Sequence, residues 1–190
     1  MSDLWVFAYG SLIWRPGFPF REAVPARILG FHRSLCVYSH VHRGTPERPG
    51  LVLGLDRGGS CRGRAYRVDA TDRAATVAYL QEREQATAVY REHIAPVRLE
   101  DESGRTVPAL VFVVDRAHPQ YAGRLDLERQ IELVLAGVGV SGINRDYVLA
   151  TVQALADLGI DDVPLARLGH RLASGGAAAL AAAIDEARSA

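Results

Sequence analysis

Trp5-Val6-Phe7-Ala8-Tyr9-Gly10-Ser11-Leu12-Ile13-Trp14 reads as a short buried strand that runs straight into a glycine-serine turn. Residues 4–9 are apolar, aromatic and bounded by glycine, the pattern of a strand covered on both faces. The same stretch marks a candidate site. Glycine lets the backbone turn sharply and lets a ligand come close. Successive free N–H groups in such a turn form a concavity suited to anions. Gly-Ser is common at strand ends, so Tyr9, Gly10, Ser11 and Leu12 need support from the rest of the chain.

Outward from this strand the chain stays strand-like for some distance. After a Pro/Gly-rich loop (Arg15–Pro19), strand material lies in Ala26–Phe31 and Leu35–Ser39, and Gly30 marks a bend or bulge between them. Residues 43–50 are a loop on composition. Leu51–Leu55 and Gly63–Val68 flank Gly58-Gly59, which signals a hairpin. From Thr71 the period changes. Asp69, Thr71 and Asp72 are candidate N-caps for a helix over 73–85. Strands return at 90–99 and 105–114 around a turn at 102–104. After Pro119 the spacing becomes helical over 125–138, 145–158 and 164–172. An alanine-rich stretch, 177–190, is a further helix or a frayed tail. Strands gathered early and helices late predict an α+β fold, with the short strands curling into a small barrel and a helical C-terminal third.

With 190 residues and 48% hydrophobic content, the chain predicts a single domain over 1–190 with a C-terminal helix or tail at 173–190. Zero formal charge argues against a general nucleic-acid binder, which needs a basic surface. All 22 basic residues are arginine, which reads as coding bias. Cys36 and Cys61 form no C-x-x-C pair, and no signal peptide or membrane-length apolar run is visible. The expectation is a cytoplasmic protein with reduced thiols, monomeric because no heptad seam shows, without nucleic-acid or membrane partners.

Familiar catalytic sets are missing: there is no G-x-S-x-G, no P-loop and no H-E-x-x-H. His32, Cys36, His40 and His42 lie on a strand-like stretch, which spreads them too far along its length to converge on one metal ion, so no metal is expected. The helix at 73–85 is more informative. At about 100° per residue, Val77, Leu80 and Glu84 share one stripe, Glu82 projects away and Arg83 falls at the edge. A carboxylate on the buried face is costly unless paired or protonated. Burial raises its pKa, and a raised pKa suits a proton shuttle near neutral pH. The alternative is that Glu84, at the helix end, simply reaches water or an arginine.

Taken with the motifs around them, these residues make the sequence resemble the ChaC-type γ-glutamylcyclotransferases from about residue 4 to 172. The resemblance is carried by Phe7–Trp14 with Pro16-Gly17-Phe18, by Arg43–Glu47 with Pro49-Gly50, and by Cys61-Arg62-Gly63 with Ala65–Val68. Tyr79-Leu80, Arg83-Glu84, Tyr90-Arg91 and Ser141–Tyr147 complete it. It implies a small mixed barrel-like sheet with packed helices. It implies an enzyme that cyclises a γ-glutamyl compound to 5-oxoproline and releases the amine, with glutathione as substrate and Cys-Gly as the released piece. It places the γ-glutamyl group on Tyr9, Gly10, Ser11 and Leu12 and makes Glu84 catalytic. Tyr147 is a substrate-binding residue or core. Arg43 and Arg91 meet the glycine carboxylate or are solvated, and Asn144 caps a helix. The chain carries Gln85-Ala86-Thr87-Ala88-Val89 where some relatives have a glycine-rich stretch.

In this reaction the substrate's α-amine attacks its own γ-carbonyl, so no protein nucleophile and no cofactor are implied. Other γ-glutamyl amino acids or amines are the alternative substrates. A γ-glutamyl binding module without turnover is the alternative from another class.

Overall fold

The computed structural model describes residues 2–84 and 88–174. Its five main strands are β1 (Leu4–Ala8), β2 (Glu22–Ser39), β3 (Gly50–Val68), β4 (Tyr90–Leu99) and β5 (Thr106–Val114). They close into a barrel in the order β1-β3-β2-β4-β5. Neighbours are antiparallel except β1 and β5, which run parallel, with Trp5 opposite Ala109 and Val6 opposite Leu110. Closure removes the exposed edges that an open sheet would leave. Every residue of β1 is buried, which explains its unbroken apolar sequence.

The expected Gly58-Gly59 hairpin does not form. β3 runs through both glycines and stays paired with β2, and the two expected pieces of β2 are one strand. Leu29 faces Ser60 while Phe31 faces Arg57, so the ladder carries an irregularity at this level. Gly30, Gly58 and Gly59 have φ of 82°, 103° and 71°, left-handed values open to glycine. Such values serve a turn or a bulge equally, and the long pairing partner decides for the bulge. The actual hairpin joins β2 to β3 through residues 40–49.

Helix α1 (Arg73–Glu84) follows β3. After β5 come α2 (Leu127–Ala136), a two-stranded ribbon of β6 (Val138–Gly139) and β7 (Gly142–Ile143), α3 (Asn144–Asp157) and α4, residues 163–174. α2 is shorter than its spacing predicts. Asp126 stops it at the front by accepting the Arg129 N–H at 2.8 Å, and Val138 leaves the helix to pair with Ile143. The molecule is therefore α+β. The alanine-rich segment 177–190 lies outside the described residues.

Val6, Ile28, Leu55 and Leu99 of the barrel belong to one core with Leu133, Val148, Leu155 and Leu168 of the helices. Burying each such side chain contributes about 1.5–3 kcal/mol. No helix among the described residues is long and apolar enough to cross a membrane.

Two polar staples fix the loop after β1. The Arg33 guanidinium, 4% exposed, donates to the carbonyls of Tyr9 and Arg62 at 2.5 Å each and pairs with Asp162 at 2.8 Å. The Tyr66 hydroxyl lies 3.0 and 2.9 Å from the carbonyl oxygens of Leu12 and Ile13.

Candidate active site

Strand β1 ends at Ala8, and the chain then makes a single tight turn over Ser11–Ile13. The Ile13 N–H donates to the Gly10 carbonyl at 2.9 Å, and the Arg15 N–H donates to that of Ser11 at 2.8 Å. The N–H groups of Ser11 and Leu12 have no protein acceptor among the described residues, as the start of a helical turn leaves them. They border a cavity of about 310 Å³ whose lining includes Tyr9, Gly10, Ser11, Leu12, Glu84 and Tyr147. All six residues singled out from the sequence therefore meet in one place.

Glu84 enters from the last turn of α1. Thr76 and Leu80 bury the helix against the core, so Glu84 one turn on is carried inward, while Glu82 is exposed. The Glu84 side chain is 17% exposed. Burial holds its carboxyl above the usual carboxylate range, and neighbouring Arg83 pulls the other way. That contact is long, with Arg83 Nε 3.5 Å from Glu84 Oε1.

Arg83 has a larger role than its edge position suggested. Its Nη1 donates to the Tyr79 hydroxyl at 2.7 Å and to the Arg15 carbonyl at 2.8 Å, and its Nη2 donates to Ser11 Oγ at 3.0 Å. It locks the end of α1 to the loop, and so sets Glu84 relative to the free N–H groups.

Three tyrosines line the cavity with the carboxylate. The Tyr90 hydroxyl donates to the Leu53 carbonyl at 2.7 Å, and the Tyr147 hydroxyl accepts the Leu53 N–H at 3.2 Å. Burial pushes Tyr9 and Tyr90 well above the ordinary phenol value and Tyr147 up to about 12, and the Glu84 charge adds to each. All three stay neutral at physiological pH. Tyr147 accepts from Leu53, so its own proton remains available to a ligand.

Sequence reasoning did not place Tyr90, His40 or His42 in the site, yet all three line the cavity. No periodicity signal marks them, because a loop and a strand end bring them there. Arg91 is elsewhere, paired with Asp115 at 2.6 Å. Asn144 is no cap: its Oδ1 accepts the Leu51 N–H at 2.6 Å and its Nδ2 donates to the Leu51 carbonyl at 2.9 Å. It substitutes for a missing strand partner. Residues 85–87, after Glu84, lie outside the described residues.

The protein is a closed barrel whose cleft brings a buried carboxylate and unpaired backbone N–H groups to one cavity, the kinds of group that acid–base chemistry on a small molecule uses. The family model of ChaC-like proteins matches residues 4–173, and the chain belongs to that family. The glutathione-specific γ-glutamylcyclotransferase of Escherichia coli K12 is 35% identical over 161 residues, covering 85% of this chain and 69% of that protein. A human protein named glutathione-specific γ-glutamylcyclotransferase 1 is 32% identical over 148 residues, covering 77% of this chain and 67% of that one. In fold, the chain resembles the crystal structure of a glutathione-specific γ-glutamyl cyclotransferase from yeast. The TM-score is 0.84 at 24% identity, over 92% of this chain and 97% of that one.

Proposed function

We propose that this protein cleaves glutathione to 5-oxoproline and Cys-Gly. The observation that carries this reading is Glu84, a buried carboxylate facing the same 310 Å³ cavity as the free N–H groups of Ser11 and Leu12. The names of the relatives support the substrate.

The γ-glutamyl end lies on the loop Tyr9–Leu12, with Tyr147 donating its free hydroxyl proton to it. Glu84 takes a proton from the α-ammonium. The freed amine attacks the γ-carbonyl carbon and a five-membered ring closes. Charge develops on the carbonyl oxygen, where a backbone N–H donor typically contributes about 2.7–4 kcal/mol. Glu84 then returns its proton to the Cys-Gly nitrogen as the C–N bond breaks. The second proton that the ammonium gives up leaves to solvent, and the released amine takes one up in turn. Holding the amine against its own carbonyl is the largest contribution, about 7–11 kcal/mol for a well-oriented intramolecular attack.

The same reading takes the chain as one domain, since a single core joins barrel and helices. It needs no cofactor, because the nucleophile belongs to the substrate. It places the protein in the cytoplasm, as a monomer.

The test is incubation of purified protein with glutathione and mass spectrometry of the products, with Glu84→Gln alongside. Both products from wild type, and about 10²–10⁴-fold less from the variant, are expected. Near-normal turnover by folded Glu84→Gln would remove Glu84 from the mechanism. No product from wild type would remove the substrate.

A further inference from the structure

Arg43 lines the same cavity and takes no part in the proton transfers or ring closure. Its Nη1 donates to the Ile143 carbonyl at 3.0 Å, and its guanidinium lies over the Tyr147 ring, 5.4 Å from the centroid. It makes no ion pair among the described residues. Asp146 acts on it only through its field. Burial, and after it the Arg15 charge, push its pKa down, against Tyr147 and Asp146. Arg83, by contrast, already spends its donors on Tyr79, Arg15 and Ser11. His42 is held towards its neutral form by burial and by the two arginines, and it meets Ser141 Oγ at 3.0 Å. Arg43 is thus a partly desolvated cation lining the cavity. Among the described residues its fork makes one side-chain hydrogen bond, to the Ile143 carbonyl, and a guanidinium is a group suited to a carboxylate.

Its mount is rigid. The Arg43 N–H donates to Ser39 Oγ at 2.9 Å. The Arg43 carbonyl packs so closely on Gly50 that a Cβ there would lie 2.1 Å from it, and the Val41 carbonyl stands 2.3 Å from where a Cβ on Gly139 would be. One side chain, Tyr147, borders both the Gly10 loop and Arg43. The Tyr147 hydroxyl is 3.6 Å from the Cβ position of Gly10, and the guanidinium sits on the face of that same ring. A leaving portion of two residues spans about 7 Å when extended, about the length of one tyrosine side chain.

We propose that Arg43 is a specificity-determining residue that binds the terminal carboxylate of the leaving dipeptide, and so favours γ-glutamyl substrates carrying a carboxylate at the far end. This deepens the cyclotransferase reading and rests on it.

The test compares wild type with Arg43→Gln on glutathione and on glutathione with its glycine carboxylate capped as the amide. In wild type the ratio of kcat/KM, glutathione over amide, is expected at about 10- to 100-fold, carried mainly in KM. In Arg43→Gln the ratio falls to near one. Arg43→Lys restores part of it, keeping charge without the fork. A ratio near one in wild type, or equal losses on both substrates in Arg43→Gln, overturns the proposal. Calorimetric titration of the same two compounds into full-length Glu84→Gln, with and without Arg43→Gln, reads the preference without turnover. There too, equal affinity for both compounds, or none for either, overturns it. Absence of 5-oxoproline from wild type would instead overturn the cyclotransferase reading, with the role of Arg43 judged by the titration.

Discussion

Two demands oppose each other at Glu84. Burial favours its neutral form, and accepting a proton requires the ionised one. Because its pKa is raised, the base form is lost as pH falls through a value above the usual carboxylate range. A plot of kcat against pH is therefore expected to rise through that value and to lose this limb in Glu84→Gln. Stability carries the opposite sign. The folded state holds the Glu84 proton more tightly than the unfolded chain, so stability falls as pH climbs from the ordinary carboxylate pKa to the raised one. Glu84→Gln lacks that loss. It is expected to melt above wild type near pH 8 and level with it near about pH 4, read by thermal denaturation. A variant that melts lower at both would show that the carboxylate stabilises the fold. Ala88 is the described non-glycine residue with positive φ, at 56°, a conformation that costs an L-residue about 1–2 kcal/mol. Ala88→Gly is expected to raise stability by up to about 1 kcal/mol in chemical denaturation. Lower stability would show that the strain is compensated in place.

Elements position these residues through a few polar joints. Asn144 is wholly buried and spans from the first residue of α3 to the start of β3, where it answers both the N–H and the C=O of Leu51. Asn144→Ala leaves two buried backbone groups unpaired, and is expected to cost about 2–4 kcal/mol in denaturant unfolding. Asn144→Asp sets a buried carboxylate oxygen against the Leu51 carbonyl, so a cost at least as large as that of alanine is expected, and unchanged stability in either variant would contradict the paired geometry. The spans of β1, β4, β5 and α1 were legible because each has a clear period: Leu80 and Glu84 face one way in sequence and in space, although buried Thr76 takes the place that the spacing gave to the half-buried Val77. The Gly58-Gly59 bulge was not legible. Two left-handed glycines look alike in a turn and in a bulge, and only the residues opposite them, Leu29 and Phe31, distinguish the two.

Across the whole molecule, Arg33 joins the β1 end, β3 and the approach to α4 through Tyr9, Arg62 and Asp162. Removing it leaves a partly buried carboxylate and two carbonyls without their donor. Arg33→Ala is expected to cost about 3 kcal/mol of stability and to lower turnover, since Tyr9 is held by it. An unchanged melting temperature would contradict this. The two thiols are buried within the barrel wall. Burial pushes Cys36 up to about 12 and Cys61 upward as well, so iodoacetamide is expected to label neither until the protein unfolds. Fast labelling of the native protein would place a thiol nearer the surface. The sequence alone determined the α+β class, the spans of most elements and six of the residues that line the cleft, because hydrophobic period and short motifs are local properties. Barrel closure by β1 against β5, the tie from Arg83 to Ser11 and the place of Arg43 over Tyr147 were decided only by tertiary structure. Each depends on residues far apart in the chain, and their meeting is set by pairing and packing that no local spacing records.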